Sequence, residues 1–289
     1  MGREELSFVS SCDRLRIFYY RWPAAGTARA VVQIAHGLGE HALRYAHVAA
    51  FLNDAGFSVY ANDHRGHGRT AESPDAYGDF GACGWDAVVA DAVEFTGIIK
   101  PREGGLPVFL LGHSMGSFVA QQYILDHSML IAGCALSGSA APDFITHLVE
   151  EVGEAGLEAL NTPFEPARTP FDWLSRDEAM VDAYVADSAC GFNMSERAQE
   201  SGQSAWERAS DREQLKRIRR DLPIYILAGD ADPVNQNLEA LKPLAERYRA
   251  VGVSDITERY YAGGRHEMFN EINREQVMRD LLVWLRRRL

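Results

Sequence analysis

The 289-residue sequence predicts an α/β fold with a mostly parallel central sheet flanked by helices. Three observations lead to this prediction. Short runs of branched and aromatic residues alternate with longer stretches at helical spacing, the pattern of repeated strand-helix-strand units. One run, at 107–111, leads into Gly-x-Ser-x-Gly at 112–116, a sequence typical of the sharp strand-to-helix turn called a nucleophile elbow. The alternation stops at about residue 141 and resumes after about residue 220.

The individual elements follow from hydrophobic periodicity. Strands are expected at residues 15–22, 31–35, 57–61, 107–111, 131–136, 223–229 and 256–261. Helices are expected from Tyr45 to Leu52, from Val88 to Ile99, at 117–125, from Leu238 to Tyr248 and from Val277 to Leu285. The stretch 141–220 has no apolar run typical of a buried strand and is too long for a plain loop. We therefore expect a helical cap at 141–220, inserted after the strand that follows the elbow helix, in a core formed by residues 1–140 and 221–289.

Composition excludes several functions and partners. The formal net charge of −12 argues against nucleic acid or an anionic membrane as an electrostatic partner. No apolar run is long enough to span a membrane, and residues 1–5 lack the order of a signal peptide, which predicts a cytoplasmic protein. The four cysteines are scattered, so we expect free thiols in a reducing compartment. The four are Cys12, Cys83, Cys134 and Cys190.

Ser114 at the centre of the elbow is the predicted nucleophile. A serine hydroxyl needs a base and an orienting carboxylate, which follow the serine along the chain in folds with an elbow. His266 is the only histidine after the 223–229 strand, so we expect it to be the base. Asp230 and Asp232 compete as the acid. We favour Asp232 because it lies further out along the loop, whereas Asp230 is better placed to form a turn.

An oxyanion needs fixed N–H donors, and two backbone amides are expected to supply them. One is the amide after the nucleophile, that of Met115. The other is that of Leu38, in the loop after the 31–35 strand, where Gly37 and Gly39 let the backbone turn inward.

The histidines also permit a metal-binding interpretation, which we do not favour. Asp63-His64-x-x-His67 resembles a ligand pair that His36 and His41 could join. Glycines in the same segment and a plausible triad elsewhere explain it better as a turn. We expect no metal, and no nucleotide cofactor because neither glycine-rich phosphate motif occurs.

Several segments together resemble the α/β-hydrolase fold, and within it the monoacylglycerol lipase and lysophospholipase group. They are 36–41 with Arg44-Tyr45, Asp63 to Gly68, 112–116, Gly229 to Asp232, and the cap segments 174–177 and 181–184. The resemblance implies the same triad, Ser114, Asp232 and His266, and the same oxyanion amides. It also implies that Glu40, Arg44 and His113 lie near the alcohol end of the substrate.

We therefore expect a serine hydrolase that cleaves a small-molecule carboxylic ester, best a monoacylglycerol or a similar single-chain ester. The alternatives are a carboxylesterase for small or aromatic esters, a proline-type aminopeptidase, and an inactive binding protein. An apolar stripe of the cap runs from Phe144 to Leu157 and includes Ile145 and Leu148; it is expected either to line an acyl tunnel or to pack on the core. The sequence does not define the oligomeric state.

Overall fold

The computed structural model describes residues 2–145, 148 and 153–289. Eight strands form one sheet in the order β1-β2-β4-β3-β5-β6-β7-β8. β1 and β2 pair antiparallel, as do β2 and β4, and every other neighbouring pair is parallel. The strands are β1 (Glu4–Val9), β2 (Arg16–Trp22), β3 (Ala30–Ala35), β4 (Phe57–Asn62), β5 (Val108–His113), β6 (Gly133–Ser137), β7 (Ile224–Gly229) and β8 (Ile256–Tyr261).

Helices cover both faces of this sheet. The α-helices are α1 (Ala46–Asp54), α2 (Gly84–Arg102), α3 (Met115–His127), α4 (Glu178–Ala186), α5 (Glu196–Ser210), α6 (Arg212–Leu215), α7 (Lys242–Ala250) and α8 (Arg274–Arg286). Short 3-10 helices lie at Ala42–Tyr45, Pro74–Ala76, Ser128–Leu130, Gly153–Phe164, Asp172–Leu174 and Met268–Asn270. Residues 142–145 are also helical. The segment 141–220, called the cap segment below, contains no strand among its described residues.

Two apolar cores lie on opposite faces of the sheet, because alternate residues of the central strands point to opposite sides. On β3, Val31 belongs to one core and Val32 to the other, and the whole strand is buried. Helices α1 and α8 pack into the second core. Helices α2, α3 and α7 pack into the first, which also contains Trp173 and Tyr184 of the cap segment. The protein is therefore a doubly wound α/β structure.

Two local predictions are wrong. Strand β1 was not predicted. It is an edge strand whose residues alternate between half-buried and exposed, with Leu6 and Phe8 packed inward. Its acidic start, Glu4-Glu5, hid that alternation. The helix expected from Leu238 begins only at Lys242, because the backbone of 236–238 has positive φ angles and cannot continue a right-handed helix.

The expectation of four free thiols is also wrong. Cys12 and Cys83 form a disulfide, although 71 positions separate them in the sequence. Cys12 lies in the turn after β1 and Cys83 directly precedes α2, so the fold brings together residues that show no paired spacing. Cys134 and Cys190 are free. No helix in the described part of the chain is both long and apolar enough to cross a membrane.

Candidate active site

Ser114 lies in a tight turn between β5 and α3. Its backbone angles, φ 50° and ψ −121°, are unfavourable for a residue with a side chain. The backbone is therefore strained at the junction of strand and helix. The turn brings backbones close together: a Cβ at Gly116 would lie 2.1 Å from the carbonyl oxygen of Ala35. A Cβ at Gly112 would lie 2.3 Å from the carbonyl oxygen of Gly116. The motif therefore forms the elbow that its spacing predicts, with Ser114 half-buried at its tip.

His266 and Asp232 form a buried pair after β8 and β7. Both carboxylate oxygens of Asp232 lie 3.0 Å from Nδ1 of His266. The carboxylate also accepts hydrogen bonds from the amide of Val234 at 2.9 Å and from Nδ2 of Asn235 at 3.2 Å, so its position is fixed. Asp230 is exposed and accepts a 2.6 Å bond from the amide of Gly263 instead. The structure thus pairs His266 with Asp232 and gives Asp230 a turn-forming contact.

The environment of His266 favours its use as a base. Burial lowers the pKa of His266, but the neighbouring Asp232 carboxylate outweighs this effect and raises the pKa above its ordinary value. His113, whose ring centroid lies 4.8 Å from that of His266, has its pKa lowered to about 4 by burial and by His266. Nε2 of His266 is buried and has no hydrogen-bond partner within the described ranges. His266 and Ser114 line the same cavity, and the hydrogen bond between their side chains stays a prediction.

The two amides expected to form the oxyanion hole are both beside Ser114. Met115 is the first residue of α3, where backbone N–H groups have no acceptor within the helix. Leu38 lies in the loop after β3 and lines the cavity next to Ser114. Leu38 and Met115 therefore lie next to Ser114 on different elements, and the role of their amides as oxyanion donors stays a prediction.

Three charged residues form a buried network at the same cavity. Nη1 of Arg44 donates to Glu40 at 2.7 Å, and both Nη atoms of Arg44 donate to Glu267, Nη2 at 2.8 Å. Oε1 of Glu40 also accepts from the amide of Gly37 at 2.6 Å and from the hydroxyl of Tyr45 at 2.7 Å. Burial opposes ionisation of Glu267, but Arg44 outweighs it and holds the pKa of that carboxyl at about 2. Glu267 is therefore ionised.

Glu267 was not predicted as a site residue. The only sequence signal was an acidic residue directly after the predicted base. Its importance depends on Arg44, which is 223 positions away and forms a two-pronged ion pair with it.

The cavity at Ser114 is nearly closed. Its volume is about 20 Å³, room for about one water molecule. The cap segment supplies Leu157, Trp173, Leu174 and Tyr184 to its lining, and the core supplies Gly37, Leu38, Glu40, His113, Ser114, His266 and Glu267. A lipid ester needs several hundred Å³, so the cap segment must move before such a substrate enters.

Backbone hydrogen bonds fasten the cap segment over the site. The amide of Glu267 donates to the carbonyl of Leu174 at 2.8 Å, and the amide of His266 lies 3.4 Å from the carbonyl of Trp173. On the other side of the site, the amide of Gly191 donates to the carbonyl of Gly39 at 2.9 Å. The cap segment therefore contacts two loops of the core. One carries His266 and Glu267 and is called the histidine loop below, and the other carries Leu38 and Gly39 and is called the oxyanion loop.

The predicted acyl-binding stripe, from Phe144 to Leu157, reaches this cavity at Leu157. Ile145 is buried in the first apolar core, and Phe144 and Leu148 pack against that core. None of the three lines the cavity at Ser114 as the described residues define it. Val149 and Val152 of the same stripe lie outside the described residues.

Three of the four histidines considered as metal ligands, His36, His64 and His67, form a buried cluster. The ring centroids of His36 and His64 are 4.3 Å apart, and those of His36 and His67 are 5.1 Å apart. Burial is the main cause that lowers the pKa of His64 to about 3 and that of His67 to about 4, so both rings are neutral. Nε2 of His36 accepts from the amide of His64 at 3.0 Å. Asp63 accepts from the amides of Ala42 and Arg69, so this segment is held as a turn.

Comparison with known proteins agrees with this geometry. A family model described as "Serine aminopeptidase, S33" matches residues 26–273. The monoacylglycerol lipase of Mycolicibacterium smegmatis is 31% identical, with 98% of this chain and 97% of that protein covered. A thermostable carboxyl esterase from Bacillus coagulans, solved in complex with glycerol, superposes with a TM-score of 0.85 at 27% identity, covering 99% of this chain and 98% of that chain. The monoacylglycerol lipase of Paleococcus ferrophilus gives a TM-score of 0.70 at 26% identity over 94% and 99% of the two chains.

The fold, the elbow and these matches together identify the family of this chain. This chain belongs to the serine aminopeptidase S33 family of α/β-hydrolases.

Proposed function

We propose that this serine ester hydrolase cleaves a monoacylglycerol or a similar ester with one acyl chain. The observation that carries the proposal is the mixed lining of the cavity at Ser114. Leu157 and Leu174 offer apolar surface for an acyl chain, whereas Glu40 and Glu267 offer carboxylates to a hydroxylated alcohol. The monoacylglycerol lipase relatives, and the esterase solved with glycerol, support the same substrate class.

The proposed reaction is acyl transfer in two steps. His266 takes the proton of the Ser114 hydroxyl as its oxygen attacks the ester carbonyl, and Asp232 stabilises the imidazolium that forms. The amides of Leu38 and Met115 stabilise the oxyanion, and the alcohol leaves with the proton from His266. Water, deprotonated by His266, then attacks the acyl-enzyme and releases the carboxylic acid.

The two rival activities make different demands on the same cavity. An aminopeptidase must hold a substrate ammonium with a free carboxylate. Glu40 and Glu267 are the carboxylates at this cavity, and each already accepts bonds at both oxygens, from Arg44 and neighbouring donors. Their shared pairing with Arg44 weakens the attraction for an ammonium, whereas a neutral hydroxyl needs only one of the lone pairs that remain on each carboxylate. A carboxylesterase for small or aromatic esters would use the same triad and differ only in how it accommodates the acyl chain.

A substrate panel tests the proposal. The purified protein is assayed with monoacylglycerols of graded chain length, p-nitrophenyl esters and aminoacyl arylamides. We expect the highest kcat/KM with a monoacylglycerol and no arylamide hydrolysis. A preference for short p-nitrophenyl esters would favour the carboxylesterase, and efficient arylamide cleavage would favour the peptidase.

Covalent labelling tests the nucleophile. A fluorophosphonate is expected to modify Ser114 alone, and Ser114→Ala should lose labelling and about 10⁴-fold or more in rate. An adduct on another residue, or hydrolysis at the normal rate by the variant, would rule out the mechanism.

Cellular location is a separate proposal. The expected cytoplasmic location stays a prediction. The Cys12–Cys83 disulfide counts against a strongly reducing compartment, where such bonds are rare. Fractionation of the source cells, with thiol alkylation before lysis, would decide both questions.

A further inference from the structure

His41, Asp187 and Cys190 form a cluster of metal-ligating side chains outside the triad. Nε2 of His41 lies 2.9 Å from Oδ2 of Asp187. One ligand atom from each of the three residues lies within 4.8 Å of the other two, the one such grouping in the part of the chain that the structure describes. We propose that these residues bind a zinc-type divalent cation that clamps the cap segment onto the oxyanion loop and reversibly inhibits the enzyme.

The donor set fits zinc in type and in spacing. Imidazole nitrogen, carboxylate oxygen and thiolate sulfur are its usual ligands, at roughly 2.0–2.3 Å from the metal. Tetrahedral geometry at those lengths separates the donors by roughly 3.3–3.8 Å. The pairs that include the sulfur of Cys190 therefore need to close by about 1.3 Å at most, and the 2.9 Å His41–Asp187 pair needs to open by about 0.4 Å. Sulfur argues against calcium or magnesium, which prefer oxygen ligands. Cys190 binds as a thiolate, releasing its proton to water, and a water molecule completes the coordination.

The charges around the cluster favour a cation. The charged groups that act most strongly on the Cys190 thiol are one positive group, Arg44, and three negative groups, Asp187, Glu40 and Glu267. The guanidinium of Arg44 is already paired with both glutamates. Three carboxylates thus face one guanidinium, and a divalent ion would enter a net negative environment.

The position of the cluster gives the cation its effect. His41 follows the oxyanion loop of the core, whereas Asp187 and Cys190 belong to the cap segment. The amide after Cys190, that of Gly191, already donates to the carbonyl of Gly39 in that loop. The cavity at Ser114 admits no lipid ester until the cap segment moves, so a metal that joins these two segments would hold the site shut. This effect on activity, unlike the binding itself, rests on the proposed ester hydrolysis.

The test uses full-length protein without thiol reductant, with two readouts. Zinc ion is titrated against hydrolysis of p-nitrophenyl butyrate, and cobalt(II) is titrated while its thiolate charge-transfer absorption in the near ultraviolet is recorded. We expect inhibition that excess EDTA reverses, together with the cobalt absorption. Cys190→Ser should abolish the absorption, and Cys190→Ser and Asp187→Asn should each raise the inhibitory zinc concentration at least ~10-fold. Cys134→Ala, which removes the other free thiol, is the matched control and should keep both signals.

Each other outcome overturns the proposal in a distinct way. Inhibition that persists unchanged in both variants would locate the metal elsewhere, for example on His266. Cobalt binding without a thiolate absorption would exclude Cys190 as a ligand, and metal binding without inhibition would refute the clamp. A protein that shows the cobalt absorption but hydrolyses no ester would support the site while refuting the proposed function. Thermal melting of each variant confirms that it is folded, and His41→Gln provides a third ligand variant if one is not.

Discussion

Asp230 and Asp232 allow a matched test of the catalytic acid, since they are two positions apart in one loop. Asp232 is fully buried and contacts Nδ1 of His266 with both oxygens at 3.0 Å. Asparagine at position 232 would present either a neutral oxygen or an NH₂ group to His266. It would therefore neither stabilise the imidazolium nor hold the ring in the correct tautomer.

The expected magnitudes differ widely. Loss of the equivalent carboxylate in a well-studied triad lowers kcat about 10⁴-fold, or about 5.4 kcal/mol at 1.36 kcal/mol per tenfold. Asp230 makes one exposed bond, to the amide of Gly263, which an asparagine oxygen can still accept. Asp230→Asn should therefore cost less than about 1 kcal/mol, or about fivefold in kcat.

The pH profile gives an independent readout. The base must be neutral, so activity falls as pH drops through the pKa of His266. Burial lowers this pKa and Asp232 raises it, with a net increase in the native protein. The acid limb of kcat/KM should therefore lie above about pH 6.5, the ordinary histidine value. In Asp232→Asn the raising influence is gone, so the limb should move to lower pH.

The assay is hydrolysis of p-nitrophenyl butyrate from pH 4.5 to 9, with thermal melting to confirm that both variants are folded. A larger loss in Asp230→Asn than in Asp232→Asn would reverse the assignment. An unchanged acid limb in a folded Asp232→Asn protein would refute the electrostatic reasoning.

Three further changes test the elbow, the disulfide and the cap. Gly116→Ala should abolish the native fold or lower its stability by several kcal/mol, because its Cβ would lie 2.1 Å from a backbone oxygen of β3, as thermal melting would show. Replacing both Cys12 and Cys83 by serine should lower the free energy of unfolding by up to about 4 kcal/mol in urea titrations, for a loop of 71 residues. Alkylation in denaturant without reductant should modify only two thiols, Cys134 and Cys190. Leu157→Trp, at the end of the predicted stripe that lines the cavity, should shift the preferred ester towards shorter chains, since each CH₂ contributes about 0.8 kcal/mol and three or four carbons about a hundredfold. Ile145→Phe tests the buried end of the same stripe, and a shift with Ile145→Phe alone would place the acyl chain at that end.

Periodicity and motif spacing predicted most of the sheet, because buried parallel strands are continuous apolar runs. The pairing of His266 with Asp232 was also anticipated, since chain order leaves few alternatives. Neither periodicity nor motif spacing could predict that Glu267 lies at the site or that Cys12 and Cys83 form a bond. Both depend on contacts between distant parts of the chain, and a single sequence has no signal for which distant residues meet.

The first part of the predicted stripe, from Phe144 to Leu148, shows a second limit of prediction from sequence. Its helical spacing correctly indicated a face that is apolar on one side, and Ile145 is buried. Periodicity gives the direction of a face relative to its own helix, however, and not what lies opposite. Core packing and acyl binding produce the same pattern, so only the lining of the cavity separates them.

Substrate entry and catalytic geometry must be coupled in this enzyme. The cap segment bonds to the histidine loop through Leu174 and Glu267, and to the oxyanion loop through Gly191 and Gly39. Opening wide enough for a lipid ester would disturb bonds that hold both halves of the machinery. The binding energy of the acyl chain can offset that cost only if the chain replaces cap contacts with its own apolar surface. A short ester supplies fewer CH₂ groups to do so, and for this reason chain length should affect kcat as well as KM.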